Sequence, residues 1–335
     1  MRLGQTDGVR AFSCRVCDNP LFFENSVCVS CGTSLGFSRE ERDIVPLGDD
    51  GTYTDAGGTT WHVCANLPLS GCTWLTTEAG GLCSSCRLTR TRPNDEDLEG
   101  LSQYPVAERA KRHLLVELDE LGLPVKEQRS EGDGGLTFDL LSSVDENVVI
   151  GHQDGVITID LAEGDDAHRE KVRVELAEPY RTMLGHMRHE VGHYYESVLA
   201  VGDDLERVRA VFGDDTLDYQ AEIDRHYSEG PPDGWEQDYI SQYATMHPFE
   251  DFAETFAHVL HIRDTIDTAR AYGLVTVDPD AFTSFRDLVT GVWIPLSIGL
   301  NQINRSMGEG DLYPFVLPET VLDKLELVAD LVRSA

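Results

Sequence analysis

At 335 residues, with 41% apolar and 26% charged content, the chain is long enough to bury a sizeable core and to hold two domains of unequal size. No uncharged apolar run approaches the roughly 20 residues that cross a bilayer, and the first thirty residues hold no apolar signal core, so no membrane span is expected and a cytoplasmic location is. The net charge of −33 is uneven: 8 Lys+Arg stand against 10 Asp+Glu through Arg92, a balance of −2, and 19 against 50 thereafter, a balance of −31. That second part repels phosphate backbones, which disfavours nucleic acid and favours basic or neutral substrates, although solubility alone also explains such a surface.

The chain opens on its cysteines, all eight of which lie between Cys14 and Cys86. Without an export signal, a reducing compartment favours metal thiolates over disulfides. Cys14-x2-Cys17 followed after ten residues by Cys28-x2-Cys31 has the spacing of a four-cysteine zinc ribbon, with Gly32 suited to the tight turn after the second pair. Cys64, Cys72, Cys83 and Cys86 form a less regular second set, in which His62 is an alternative ligand. Neither set has an obvious open position, so both predict structural zinc ions that hold together a small domain over residues 1–92 and contribute most of its folding free energy. Such a module suits the recruitment of a protein partner. Arg87, Arg90 and Arg92 cluster at its end, but the region has no net basic charge, so nucleic acid is the lesser alternative.

Residues 93–100, "PNDEDLEG", are acidic and lack an apolar period, and they read as the linker to a second domain over 101–335. "AERAKRHLLVELDELGL" predicts a helix ending near Gly122 and Pro124. "LTFDLLS" and "NVVIGHQDGVITIDLAE" predict a small antiparallel sheet turned at "HQDG", with "GVITIDL" a candidate cleft-edge strand for an extended peptide. From about Asp165 helical signals dominate, broken by a loop at "SEGPPDGW". The order predicts an α+β domain.

Within the helical part, "MRHEVGHYYE" places two histidines four residues apart with a glutamate after the first. On a helix turning about 100° per residue, His189 and His193 fall opposite the apolar stripe of Met183, Met187, Val191 and Val198, and Glu190 falls to one side, within reach of a metal-bound water. Gly192 costs a helix interior roughly 1 kcal/mol, which makes sense where another backbone packs closely. A third ligand is expected from "HPFEDFAETFAHVLHI": after Pro248 it reads as a helix with Glu250, Glu254, His258 and His261 on one side and Phe252, Phe256 and Val259 on the other. Such a polar stripe is costly to bury unless paired, and a metal with its supporting groups provides the pairing. Periodicity alone leaves Glu250 and Glu254 both open as the ligand.

Taken with the four-cysteine ribbon, "RHEVGHYY" and "HPFEDFAETFAHVLHI" resemble the zinc-binding metallopeptidase family whose members carry an amino-terminal zinc ribbon, and the resemblance runs through about residue 275. It implies a zincin-like domain. More distantly, "HPFEDFAE" is similar to the stretch carrying the third ligand in zincins such as the Mlc titration factor and the anthrax lethal factor. That similarity makes Glu250 the ligand and Glu254, with His258 beyond it, a group supporting the site from behind. It also matches Tyr243 to a tyrosine that steadies the oxyanion, a residue that spacing alone would equally place in the core. Thermolysin-type enzymes, whose third ligand follows much sooner, are a poorer guide to specificity.

The expected chemistry is zinc-assisted peptide hydrolysis, with one catalytic and two structural Zn²⁺. His189, His193 and Glu250 hold the catalytic ion and leave a position for water, whose pKa falls toward about 7. Glu190 takes the water's proton and passes it to the leaving amine. The competing expectation is an idle zincin scaffold whose ribbons recruit a partner.

Overall fold

The first cysteine turn is made by a β-hairpin of β1 (Phe12–Ser13) and β2 (Pro20–Leu21), in which Asp18 takes φ +57° just after Cys17. Gly32 holds the equivalent place after Cys31 at φ +75°, a left-handed conformation that glycine adopts without a Cβ penalty. A second hairpin, β3 (Leu35–Ser38) with β4 (Asp43–Pro46), follows. Then comes a three-stranded antiparallel sheet of β5 (Thr52–Thr54), β6 (Thr60–Val63) and β7 (Leu75–Thr76), with the short α1 (Leu67–Ser70) between its last two strands. Phe12, Phe23, Phe37 and Trp74 supply its small core, the Phe37 and Trp74 rings lying 5.3 Å apart. The computed structural model describes residues 11–130, 132–143, 148–175, 178 and 180–335.

The ribbon does not end in a free linker. β8 (Thr89–Thr91) runs parallel to β9 (Thr137–Leu141), pairing Thr89 with Phe138. The next helix, α2 (Leu98–Glu120), starts inside the stretch expected to be linker, because Asp97 caps it by accepting a hydrogen bond from the Gly100 amide at 2.8 Å. One side of α2 closes on the ribbon, where Arg39 makes a two-point ion pair with Asp119, both bonds 2.6 Å, and His113 lies 2.6 Å from Glu24. Buried Lys111 and Glu108 meet at 2.7 Å, and the other carboxylate oxygen of Glu108 is 3.8 Å from the Cys86 sulfur. The arginines that formed a basic cluster in sequence are spent on acids: Arg87 on Glu127, Arg90 on Asp139, Arg92 on Asp95.

β10 (Gly151–Gln153) and β11 (Val156–Asp160) form the expected hairpin, turned by Asp154 and Gly155, both at positive φ. The sheet order is β10-β11-β9-β8, and β11 runs parallel to β9, so the sheet is mixed, in contrast to the antiparallel sheet expected. Its apolar residues Phe138, Leu140, Ile157 and Ile159 are fully buried, which favours placing β11 centrally. The "GVITIDL" strand is therefore interior and cannot accept a peptide at its edge. β10 is the exposed edge on that side.

After α3 (Asp166–Glu175) comes α4 (Met183–Leu199), capped by the Thr182 hydroxyl, which accepts from the Gly185 amide at 2.9 Å. α5 (Asp203–Phe212) and α6 (Tyr219–Glu229) lead to α7 (Pro248–Ala271). The His247 side chain caps α7, and Pro248 occupies its first turn, where a missing N–H is harmless. The short α8 (Phe285–Leu288), α9 (Ile294–Ser306) and α10 (Glu319–Arg333) complete the chain. α10 covers α7, its buried Lys324 2.6 Å from Asp251. Among the described residues no helix is long and apolar enough to cross a membrane.

α4 and α7 pack in direct contact. A Cβ added to Gly192 would lie 3.0 Å from the Ala253 Cα and 3.1 Å from its carbonyl oxygen, so the glycine is where the two backbones meet. Gly192→Val is expected to lower stability by about 1–3 kcal/mol through overpacking. An unchanged thermal unfolding midpoint would show that the helices tolerate separation there.

Candidate metal centre and active-site cleft

His189 and His193, one turn apart on α4, are buried with their rings 4.9 Å apart at nearly a right angle. α7 brings Glu250 to the same point. Its Oε2 is 3.0 Å from His189 Nε2 and 3.5 Å from His193 Nε2, and ligand atoms of these three residues all lie within 4.8 Å of one another. Zinc bonds of about 2.1 Å in tetrahedral geometry set donor atoms roughly 3.4 Å apart, so two imidazole nitrogens and one carboxylate oxygen here suit a zinc ion in both chemistry and spacing.

Each of the three is held from behind. His189 Nδ1 is 2.8 Å from Glu254 Oε1, which leaves Nε2 to face Glu250, and the Ser241 hydroxyl donates to Glu254 Oε2 at 2.6 Å. The Tyr219 hydroxyl donates to Glu250 Oε1 at 2.5 Å. Phe249 stacks on the His193 ring at 4.0 Å. Burial alone would raise the pKa of Glu250, but hydrogen bonds and positive charge from His189 and His193 outweigh it and hold the carboxylate well below its usual range. Glu254 likewise falls to about 2, because its bond to His189 overcomes the effect of burial. The cluster thus keeps two buried acids ionised against two imidazoles, and a divalent cation would displace protons from it.

Glu190 lies beside His189 on the cavity wall, buried, with its Oε2 lacking a hydrogen-bond partner. Burial raises its pKa, outweighing the opposing pull of His189 and His193, and Glu250 and Glu254 add to the rise. Tyr243, in a short 3₁₀ turn (Tyr243–Thr245), places its ring 5.6 Å from that of His189 and lines the same cavity. Burial, then the Glu250 charge, pushes its phenol well above the usual value. His258 forms part of the cavity wall one turn beyond Glu254, and its Nδ1 lies 2.8 Å from the Tyr313 hydroxyl. His261 lies 3.1 Å from Arg188, which also binds Glu117 and Asp264. His152, on the edge strand β10, lies 6.5 Å from the His193 ring.

Sequence reasoning missed Tyr219, Ser241 and His152. Tyr219 lies 31 residues before Glu250 and Ser241 13 before Glu254, and no helical or strand period links either to its carboxylate. Phe249 carried a signal, since it adjoins Glu250 in the segment already singled out.

The cysteines gather as two sets, and all eight are free thiols. In the first, the Cys14–Cys31 and Cys17–Cys28 sulfur separations are 3.7 and 3.6 Å; in the second, Cys72–Cys83 is 3.6 Å. Zinc–sulfur bonds of about 2.3 Å require roughly 3.8 Å between sulfurs in a tetrahedron, so both sets have the size of a closed zinc site. All four cysteines of the second set are buried and His62 is not among them, whereas Cys17 and Cys31 reach the surface.

Comparison with known proteins agrees with this architecture. Residues 11–97 match a zinc-ribbon domain, and residues 100–331 match the family described as "Putative zinc-binding metallo-peptidase". An uncharacterized protein of Mycobacterium bovis and one of Mycobacterium tuberculosis are each 50% identical over 333 residues, covering 96% of this chain and 94% of the relative. No solved structure matches. With the match spanning more than half of its length and containing both helices of the His–Glu cluster, the chain belongs to that metallo-peptidase family, joined to an N-terminal zinc ribbon.

Proposed function

We propose that the protein is a zinc-dependent peptidase whose catalytic ion is held by His189, His193 and Glu250. The observation that carries this reading is the convergence of α4 and α7, which sets those three donors at zinc spacing with a buried, unpartnered Glu190 oxygen beside them. Bound there, zinc supplies Lewis acidity that acidifies water and polarises a carbonyl. Glu190 accepts the proton of the attacking water and delivers it to the departing amine, a role helped by the upward pull of burial on its carboxyl. Tyr243 donates its phenolic hydrogen to the oxyanion, which is worth about 2.7–4 kcal/mol for comparable donors. Glu254 orients His189, and Tyr219 fixes Glu250. With β11 enclosed, an extended substrate is proposed to align along the edge of β10, where His152 adjoins His193.

Two further zinc ions are proposed for the cysteine sets, giving three per chain. Thiols gathered at metal spacing suit a reducing, cytoplasmic compartment. The acidity beyond Arg92 supports basic, extended substrates drawn in at long range, a preference that must fade with added salt. A second reading, an idle scaffold that recruits a protein through the ribbon, is favoured by one observation: the first cysteine unit exposes Phe22 at 67% and Val29 at 89%.

Glu190→Gln is expected to keep every zinc ion and lose at least 10²-fold in peptide turnover, the contribution typical of general acid–base groups. Turnover equal to wild type removes Glu190 from the mechanism, and a wild type inert with and without chelator favours the scaffold reading. Elemental analysis should find three zinc ions per chain, falling to two in a His189→Ala/His193→Ala variant. Tyr219→Phe should weaken the His–Glu site by about 10–100-fold in chelator competition, the usual effect of removing a group that braces a ligand; unaltered affinity would leave Tyr219 with no part in holding Glu250.

A further inference from the structure

The cavity beside the His–Glu cluster extends well past the atoms needed for hydrolysis, enclosing about 480 Å³. Its far wall is an aromatic box. Phe315 lies 4.5 Å from the His258 ring and 6.2 Å from Tyr180, and Tyr180 lies 5.4 Å from His261, each pair edge-on. Tyr313 closes the back, stacked on His261 at 5.7 Å. The segment carrying Tyr313 and Phe315 is fixed by a reciprocal pair with Asn301: the Asn301 side-chain amide donates to the Tyr313 carbonyl at 2.8 Å and its oxygen accepts the Tyr313 amide at 2.9 Å.

The two arginines beside the box are already held by acids. Arg188 is committed to Glu117 at 3.0 Å and Asp264 at 2.6 Å, and Arg181 to Glu163 at 2.7 Å and Glu178 at 2.9 Å. Burial holds both His258 and His261 neutral. An anionic side chain entering the box would lose its hydration with no free cation among the described residues left to meet it, whereas a large uncharged one would exchange water for ring faces and edges. The chain's overall acidity acts differently, on a substrate still in solution and over distances that salt screening limits to a Debye length of about 8 Å, and selects no particular side chain inside the box.

We propose that this box is the side-chain pocket that selects the substrate, taking a large aromatic or aliphatic residue (Phe, Tyr, Leu or Met) next to the scissile bond. The proposal rests on the peptidase reading for the word substrate, and on the box alone for the chemistry of the side chain. Phe315 and Tyr180 are the specificity-determining residues.

Two measurements on the zinc-loaded full chain separate these layers. The first is ligand-observed NMR binding of N-acetyl amino-acid amides that differ only in side chain: Phe, Leu, Ala, Lys and Glu. The Phe and Leu amides should bind about tenfold or more tightly than the others, the discrimination a pocket of this kind provides. Glu190→Gln should keep that order, Phe315→Leu should keep it, and Phe315→Ala and Tyr180→Ala should flatten it, with thermal midpoints confirming that each variant is folded. The second is the cleavage profile of a proteome-derived peptide library, in which aromatic and large aliphatic residues should dominate one position flanking the cut. Selective binding without cleavage overturns the peptidase reading and leaves the pocket standing. Cleavage without a side-chain preference, a preference for Lys or Glu, or selectivity that survives both alanine variants overturns the pocket. Should an alanine variant unfold, the wild-type amide series still decides the matter.

Discussion

The meeting of α4 and α7 at Gly192 governs the rest of the molecule. Two helices whose backbones come this close bring the side chains on their shared flank to a common point. That point holds His189 and His193 from one helix and Glu250 from the other. A larger residue at 192 would push α7 away by fractions of an ångström, and metal ligation has little slack at that scale, since bond lengths near 2.1 Å hold within about 0.2 Å. The neighbouring elements act as braces on this contact. α10 holds the outer side of α7 through Lys324 and Asp251, and Arg188, the residue before the first histidine, ties α4 to α2 through Glu117 and to α7 through Asp264. A buried charge pair contributes little net stability over an apolar one, but once present it is costly to break, which makes such ties effective at fixing register.

The same braces connect the ribbon to the metallo-peptidase-family domain. The second cysteine set is closed by α2, whose Glu108 approaches Cys86, while Asn66 bridges toward Tyr104. β8, continuous with the ribbon, is a strand of the second domain's own sheet. A chain of packed groups therefore runs from the buried cysteine set through α2 to Arg188 and the metal-ligand helix. The first cysteine unit is more peripheral, with two of its thiols at the surface and several apolar side chains exposed. The two sets thus have different surroundings despite their common chemistry, one built into the interface and one at the surface.

Electrostatics divides along similar lines. At long range the second part of the chain is strongly acidic, and in the His–Glu cluster ionised carboxylates balance imidazoles. The box beyond offers no free cation among the described residues, because its histidines are too buried to charge and its arginines are already paired.

Both cysteine sets, the His-Glu-x-x-His helix and the Glu-bearing helix were legible in the chain because each depends on short-range periodicity: two residues between knuckle cysteines, four between histidines on one helical face, a proline at a helix start. Gly192 was legible too, as a cost in an isolated helix that only a close neighbour explains. Strand order was not legible, since a hairpin looks the same whether its first or second strand lies inward. That is why β10, and not β11, holds the edge. Nor could the sequence show that Arg87 and Arg90 face acids of the second domain, or that α2 begins within an apparently acidic linker, where an aspartate cap and a linker residue look alike. Tyr219, Ser241, Phe315 and the part played by His258 depend on contacts spanning 13 to 135 residues. No local period encodes such contacts, because they arise only when the apolar faces of several elements are buried together and their polar groups must find partners in the space that remains.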